Sequence, residues 1–198
     1  ITETSQLTPI ASERAAEISR NTDERIWIDV QNFEPVELET WLDTLGIKDL
    51  SRRLCLEARD RSGFYPLKKE IFLVMPVLAD TGKKSDMDYL ALLCRENLLL
   101  TFHRKPVLDL QELAALEGSD AWLPERSISG LVSALMIDLS LDGLQRTAKL
   151  RNSILALEKR MDREPEAVEA EEIRDLRSEL LTLASVVSDQ LPSLQALS

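Results

Sequence analysis

The chain has 198 residues, 44% of them hydrophobic and 30% charged, the composition of a soluble globular fold with one sizeable core. Its formal net charge of −11 argues against a nucleic-acid backbone as partner and suits solubility or contact with cations. The two cysteines, Cys55 and Cys94, show neither a C-x-x-C spacing nor a secreted framework. No signal-peptide pattern is present, so a reduced, cytosolic environment is expected. The longest apolar run, Ile71–Ala79, is far short of the ~20 residues a membrane-spanning helix needs. The chain begins at Ile1 and ends within a helical pattern, which is expected of a piece of a longer protein.

Residues 1–24 are polar, with Thr8-Pro9 opening a short helix to about Ser19. Ile26–Val30 is β-branched and aromatic and reads as a strand. Glu34-Pro35 opens a helix on Val36, Leu38, Leu42 and Leu45, stopped by Gly46. Asp49–Arg59 is a second helix, broken at Ser62-Gly63. Ile71–Leu78 is a buried-type strand in which Pro76 marks an edge or a bulge. After a turn over Asp80–Asp86, Met87–Cys94 and Leu98–His103 complete an antiparallel meander of three strands.

From Val107 the pattern is helical. Val107–Leu116 stops at Gly118, and Ser127–Arg160 is long. The long helix carries two apolar stripes, Ile137, Leu141, Leu144, Ala148 and Leu150, Ile154, Leu157, Met161. A proline-bearing turn at Arg163–Glu166 leads to a last helix with a heptad-like seam of Ile173, Leu176, Leu180, Leu183, Val187 and Leu194. The expected fold is α/β: an α/β/α sandwich with a mixed sheet, largely antiparallel at one side, plus a long antiparallel helical hairpin. The expected divisions are 1–24, an α/β part over 25–118 and the hairpin over 119–198.

Cys94 and His103 invite a metal-site reading. If the turn centres on Glu96-Asn97, Cys94 pairs with Leu99 and His103 lies about 13 Å further along. If the loop has three residues, Cys94 pairs with Leu98 and His103 points to the other face. Neither register forms a site; the expectation is a buried cysteine and a strand-end histidine near the surface. The stretch Thr81–Ser85, "TGKKS", lacks the spacing and the following helix of a phosphate loop. Arg52, Arg53, Arg59 and Arg61 read as a solvated basic face.

Carboxylates are the remaining candidates. Glu164, Glu166, Glu169, Glu171 and Glu172 crowd the hairpin turn. There they complement a helix N-terminus, solvate a tip, or weakly hold a hard divalent cation. Asp138 and Asp142 lie i, i+4 on one face of the long helix, either as an ion-binding pair or as a solvated face. No nucleophile–base pair can be named, so an enzyme is not expected.

The order of these pieces carries a resemblance. The strand "WID" (Trp27–Asp29) leads to a helix ending "LGI" (Leu45–Ile47). An Arg-containing turn (Arg61), the strand "IFLVMPV" and the hairpin "ALLCRENLLLTFHR" follow, and then a long helical hairpin turns at "REP" (Arg163–Pro165). From about Arg25 to Leu197 the chain resembles the cytoplasmic domain of the CorA-type magnesium transporter family, zinc-transporting relatives included.

The resemblance implies a subunit of a homo-pentameric funnel on the cytoplasmic side of the cell inner membrane. A stalk, two membrane helices and a Gly-Met-Asn motif would follow a domain that senses divalent cations between subunits. It implies no firm cofactor, with magnesium, zinc or cobalt as the weakly bound partner. Charge and position alone, not the resemblance, name Asp138, Asp142, Glu166 and Glu169 as the expected metal ligands. Two family features differ here. Lys48-Asp49-Leu50 and Arg53-Leu54 stand where the family has His-Pro-Leu and a Glu-Asp pair, and "KLRNSIL" (Lys149–Leu155) replaces an acidic run. The alternatives are a soluble interaction or scaffold protein that assembles through the hairpin, without an ion role, and an enzyme on an α/β fold.

Overall fold

The computed structural model describes residues 14, 15, 17, 24–57, 62–81, 86–115 and 127–197. Five strands form one sheet of order β1-β5-β4-β3-β2: β1 (Ile26–Gln31), β2 (Gly63–Pro66), β3 (Ile71–Leu78), β4 (Met87–Cys94) and β5 (Leu98–His103). β1 runs parallel to β5 and the other pairs are antiparallel, so the sheet is mixed and antiparallel towards β2, as expected. β2 is the strand that was not anticipated. Its four residues are too few to show an alternation, and only Gly63 opposite Val74 through Pro66 opposite Ile71 reveals it.

Both faces of the sheet are covered, and the two-residue period of the strands divides their side chains between two cores. Phe72, Val74, Ala91, Leu93, Leu98, Leu100 and Phe102 face one way, onto α1 (Pro35–Thr44) and α2 (Asp49–Glu57) through Leu38, Leu42 and Cys55. Leu73, Met75, Val77, Leu90, Leu92 and Leu99 face the other way. They meet α3 (Leu108–Ala115) and the first half of α4 (Ile128–Arg163) through Leu110, Leu113, Leu131, Leu135 and Leu139. Gly46 closes α1 at φ +69°, in the left-handed region where a side chain is strained. Pro76 sits in β3 beyond the end of β2 pairing; its carbonyl accepts from Gln190 Nε2 at 2.7 Å, so its missing N–H breaks no ladder.

Ser127 caps α4, its Oγ accepting from the Gly130 N–H at 2.9 Å. By length and composition alone α4 is apolar enough over one stretch to cross a membrane, although no continuous apolar run in the sequence suggests it. Its inner residues Leu131, Val132, Leu135, Met136 and Leu139 are packed on the sheet. After a 3-10 turn at Pro165–Ala167, α5 (Ala170–Leu197) returns along α4. A small third core of Leu78, Leu150, Leu183 and Val186 ties the hairpin root to the sheet.

The expected α5 seam is displaced. Leu183 is buried and Leu176 and Leu194 half-buried, but Val186 takes the inner position expected for Val187. Ile173, Leu180 and Val187 are exposed, as are Ile137, Leu141 and Leu144 of the first α4 stripe. Spacings of three and four admit two phases when a helix carries two apolar stripes, and the sequence does not say which one meets the partner helix. The expected helix over Thr8–Ser19 falls mostly outside the described residues; Arg14, Ala15 and Glu17 are helical, and Ala15 is buried in the α1 core.

Candidate functional site: a carboxylate cluster between two helices

Asp138 and Asp142 project from α4 one turn apart, both half-buried. Asp142 Oδ2 accepts from Arg146 Nε at 2.6 Å, one turn further on. Facing them is Asp109, in the first turn of α3 and buried on the same side of that helix as Leu110 and Leu113. Burial first, then the charges of Asp142, Asp138 and Glu112, together raise the Asp109 carboxyl from 3.8 to about 6, against a bond to its own backbone N–H that lowers it. Three carboxylates from α3 and α4 thus share one region of negative potential, and among the described residues Asp142 has a cation, Arg146, drawn up to it.

Glu166 and Glu169 do not join this group. Both are exposed at the turn beyond the far end of α4. At about 1.5 Å per residue the stretch of that helix from Asp138 and Asp142 to Arg163 holds the two acidic pairs roughly 35 Å apart, so no single ion can use all four. Near the turn, Arg160 pairs with Glu172 at 2.6 Å and donates to the Ala167 carbonyl at 3.2 Å. Among the described residues no three of His, Cys, Asp and Glu converge tightly enough to enclose a metal ion within one chain.

Cys94 pairs with Leu99, the first of the two registers considered, so Cys94 and His103 stand apart. Burial pushes the Cys94 thiol up to about 12, so it stays protonated at neutral pH. His103, however, is not near the surface: it is 3% exposed and bonded to Asp29. The reason is topological. Parallel pairing sets Asp29 opposite Thr101 and Gln31 opposite His103, which a sequence reading that leaves the β1 partner open cannot supply.

Two grooves among the described residues are lined by none of Asp109, Asp138 and Asp142. One, of about 700 Å³, runs along the β1 edge and α1 and is lined by Phe33, Leu38, Trp41 and Phe102. The other, of about 850 Å³, lies by the start of α4, with an apolar floor including Val132 and Met136 and with Lys68, Lys69 and Arg95 at its rim. Glu70 neutralises Arg95 there.

Residues 22–198 match the family model described as CorA-like Mg2+ transporter protein. The chain belongs to that family. Among solved structures, the complete CorA magnesium transporter of Methanocaldococcus jannaschii superposes with a TM-score of 0.71 at 19% identity, over 88% of this chain and 55% of that one. The soluble domain of the same CorA gives 0.65 at 14% identity, over 98% and 92%. The ZntB cytoplasmic domain of Vibrio parahaemolyticus gives 0.64 at 14% identity, over 88% and 72%. At these identities the likeness establishes the fold. The chain spans about half the length of the full-length CorA it resembles. No curated protein is similar enough in sequence to count as a match.

Proposed function

We propose that this CorA-like chain is the cytoplasm-facing, ion-responsive domain of a divalent-cation transporter in the cell inner membrane. Magnesium is the first candidate cargo, with zinc and cobalt behind it. The observation that carries the reading is the Asp109 carboxyl, driven up to about 6 beside Asp142 and Asp138. Crowded carboxylates are what a hard divalent ion would relieve, since it is bound through oxygen. Among the described residues no group encloses an ion within one chain; in this reading the ion sits between copies, with Asp138 and Asp142 facing acids or carbonyls of a neighbour. Glu166 and Glu169 at the hairpin tip would be a second, separate place of weak cation binding.

In this mechanism cations screen carboxylates between subunits and hold a closed arrangement. Their loss restores the repulsion and lets the subunits shift. The exposed stripes of Ile137, Leu141 and Leu144 on α4 and of Leu180 and Val187 on α5 support assembly into a homo-oligomer, a pentamer by family analogy. The same stripes favour the alternative of a scaffold that assembles through its hairpin and has no ion role. Reconstituting the full-length gene product in vesicles separates the two. Mg2+ entry that slows as internal Mg2+ rises, and slows less in Asp138→Asn/Asp142→Asn, supports the transporter reading. Vesicles that pass no divalent cation while the protein still assembles support the scaffold.

A further inference from the structure

His103 ends β5 at the point where the chain leaves the sheet for α3. Its ring is surrounded by acceptors. Nδ1 lies 2.6 Å from the Lys105 carbonyl oxygen, and Nε2 lies 3.1 Å from each oxygen of the Asp29 carboxylate. Trp27 Nε1 donates to Thr101 Oγ1 at 3.0 Å, and Thr101 donates its own proton to Asp29 Oδ1 at 2.5 Å. Asp29 therefore acts as an acceptor already engaged by a hydroxyl. A neutral imidazole has one N–H and one lone pair, and that lone pair would face either a carbonyl or a carboxylate. Only the imidazolium, with two N–H donors, satisfies both sides at once.

The backbone beyond the ring is held by the same cluster. Asp88 of β4 is buried and its Oδ2 accepts from the backbone N–H groups of Arg104 and Lys105, both at 2.6 Å. The Lys105 ammonium turns away, to Asp86 and to the Met87 carbonyl. The groups facing the ring are thus Asp29 from β1, Asp88 from β4 and the Lys105 carbonyl from the connection, with Arg104 exposed.

We propose that His103 is held as an imidazolium and works as a pH-sensitive latch, fastening the β5–α3 connection to the edge strand β1. The connection it fastens, residues 104–107, leads directly into α3. The latch is independent of whether the domain senses cations.

Its direction follows from the surroundings. Burial of the ring lowers its pKa. The bond to Asp29, the Asp29 charge, the Lys105 carbonyl and the Asp88 charge outweigh it and raise the value above the ordinary 6.5. A pKa raised in the folded state contributes stability that is fully present below the unfolded value. That contribution is lost as pH rises through the folded value. The latch is therefore closed in mildly acid solution and opens as the pH rises.

The chain has a single histidine, so one imidazole resonance set reports the latch without assignment. With the full chain, 15N shifts of the ring at pH 6.5 are expected to show a majority of doubly protonated imidazole, with a titration midpoint above 6.5. Amide exchange at Arg104, Lys105 and Val107, corrected for its intrinsic pH dependence, is expected to speed up with the same midpoint. Asp29→Asn is expected to lower the midpoint, and His103→Gln to remove the step in exchange. A ring mainly neutral at pH 6.5, a midpoint that Asp29→Asn leaves in place, or exchange that ignores the ring titration would each overturn the proposal. The titration of the unchanged chain decides the protonation state even where a variant fails to fold.

Discussion

Replacing Asp109 by asparagine removes one charge from the α3–α4 cluster and keeps the side-chain shape. In the folded chain the carboxyl stands at about 6 against an ordinary 3.8. A folded pKa raised above the unfolded one means a stability penalty that appears as pH climbs past 3.8 and is complete above about 6. At about 1.4 kcal/mol per pH unit, the full penalty is about 3 kcal/mol. Asparagine escapes the charge term but still buries an amide, so a net gain of about 1–3 kcal/mol at pH 8 is expected, and almost none at pH 4. Urea midpoints of the two proteins at the same pH read this directly, and the comparison cancels any pH dependence from His103. A variant less stable than the parent at pH 8, or one equally stabilised at pH 4 and pH 8, would refute the electrostatic reasoning.

Leu135 of α4 is fully buried against the sheet, so Leu135→Ala is expected to cost about 3–5 kcal/mol in urea unfolding. Gly46→Ala meets no atom within 4 Å but keeps φ at +69°, so its cost of about 1–2 kcal/mol is purely conformational, and Gly46→Asn should cost less. Arg95 pairs with Glu70, whose side chain is only 11% exposed, and it approaches the Leu45 and Gly46 carbonyls at 3.4 Å. Arg95→Met alone should cost about 3 kcal/mol, and Arg95→Met with Glu70→Gln much less, because the single change strands a buried carboxylate.

Much of this architecture is legible in the sequence because local chemistry and global fold agree. The bounds of β4 and β5 are readable, since two apolar runs flank Arg95-Glu96-Asn97 and a strand buried on both faces needs no alternation, while the register between Cys94–Leu99 and Cys94–Leu98 is left to the structure. α4 is readable because Ser127 caps it and its apolar spacing persists. What escapes depends on distant pairings. Asp109 looks like an ordinary first-turn acid until α4 packs across it. His103 looks like a strand-end residue until β1 lies parallel to β5 and brings Asp29 to its ring. The α5 seam is ambiguous because two apolar stripes share one helix and only the packed structure selects Val186 over Val187.

The proposed function depends on a divalent cation finding the α3–α4 carboxylates, which a melting-temperature titration of the purified chain with Mg2+ reads out. At ten times its Kd a cation that binds only the folded form contributes about 1.4 kcal/mol. For a chain of this size that is a rise of about 3–6 °C. The account predicts such a rise at millimolar Mg2+, above the effect of NaCl matched in ionic strength, and a smaller one in Asp138→Asn/Asp142→Asn. A melting temperature that Mg2+ moves no further than the matched salt would contradict it.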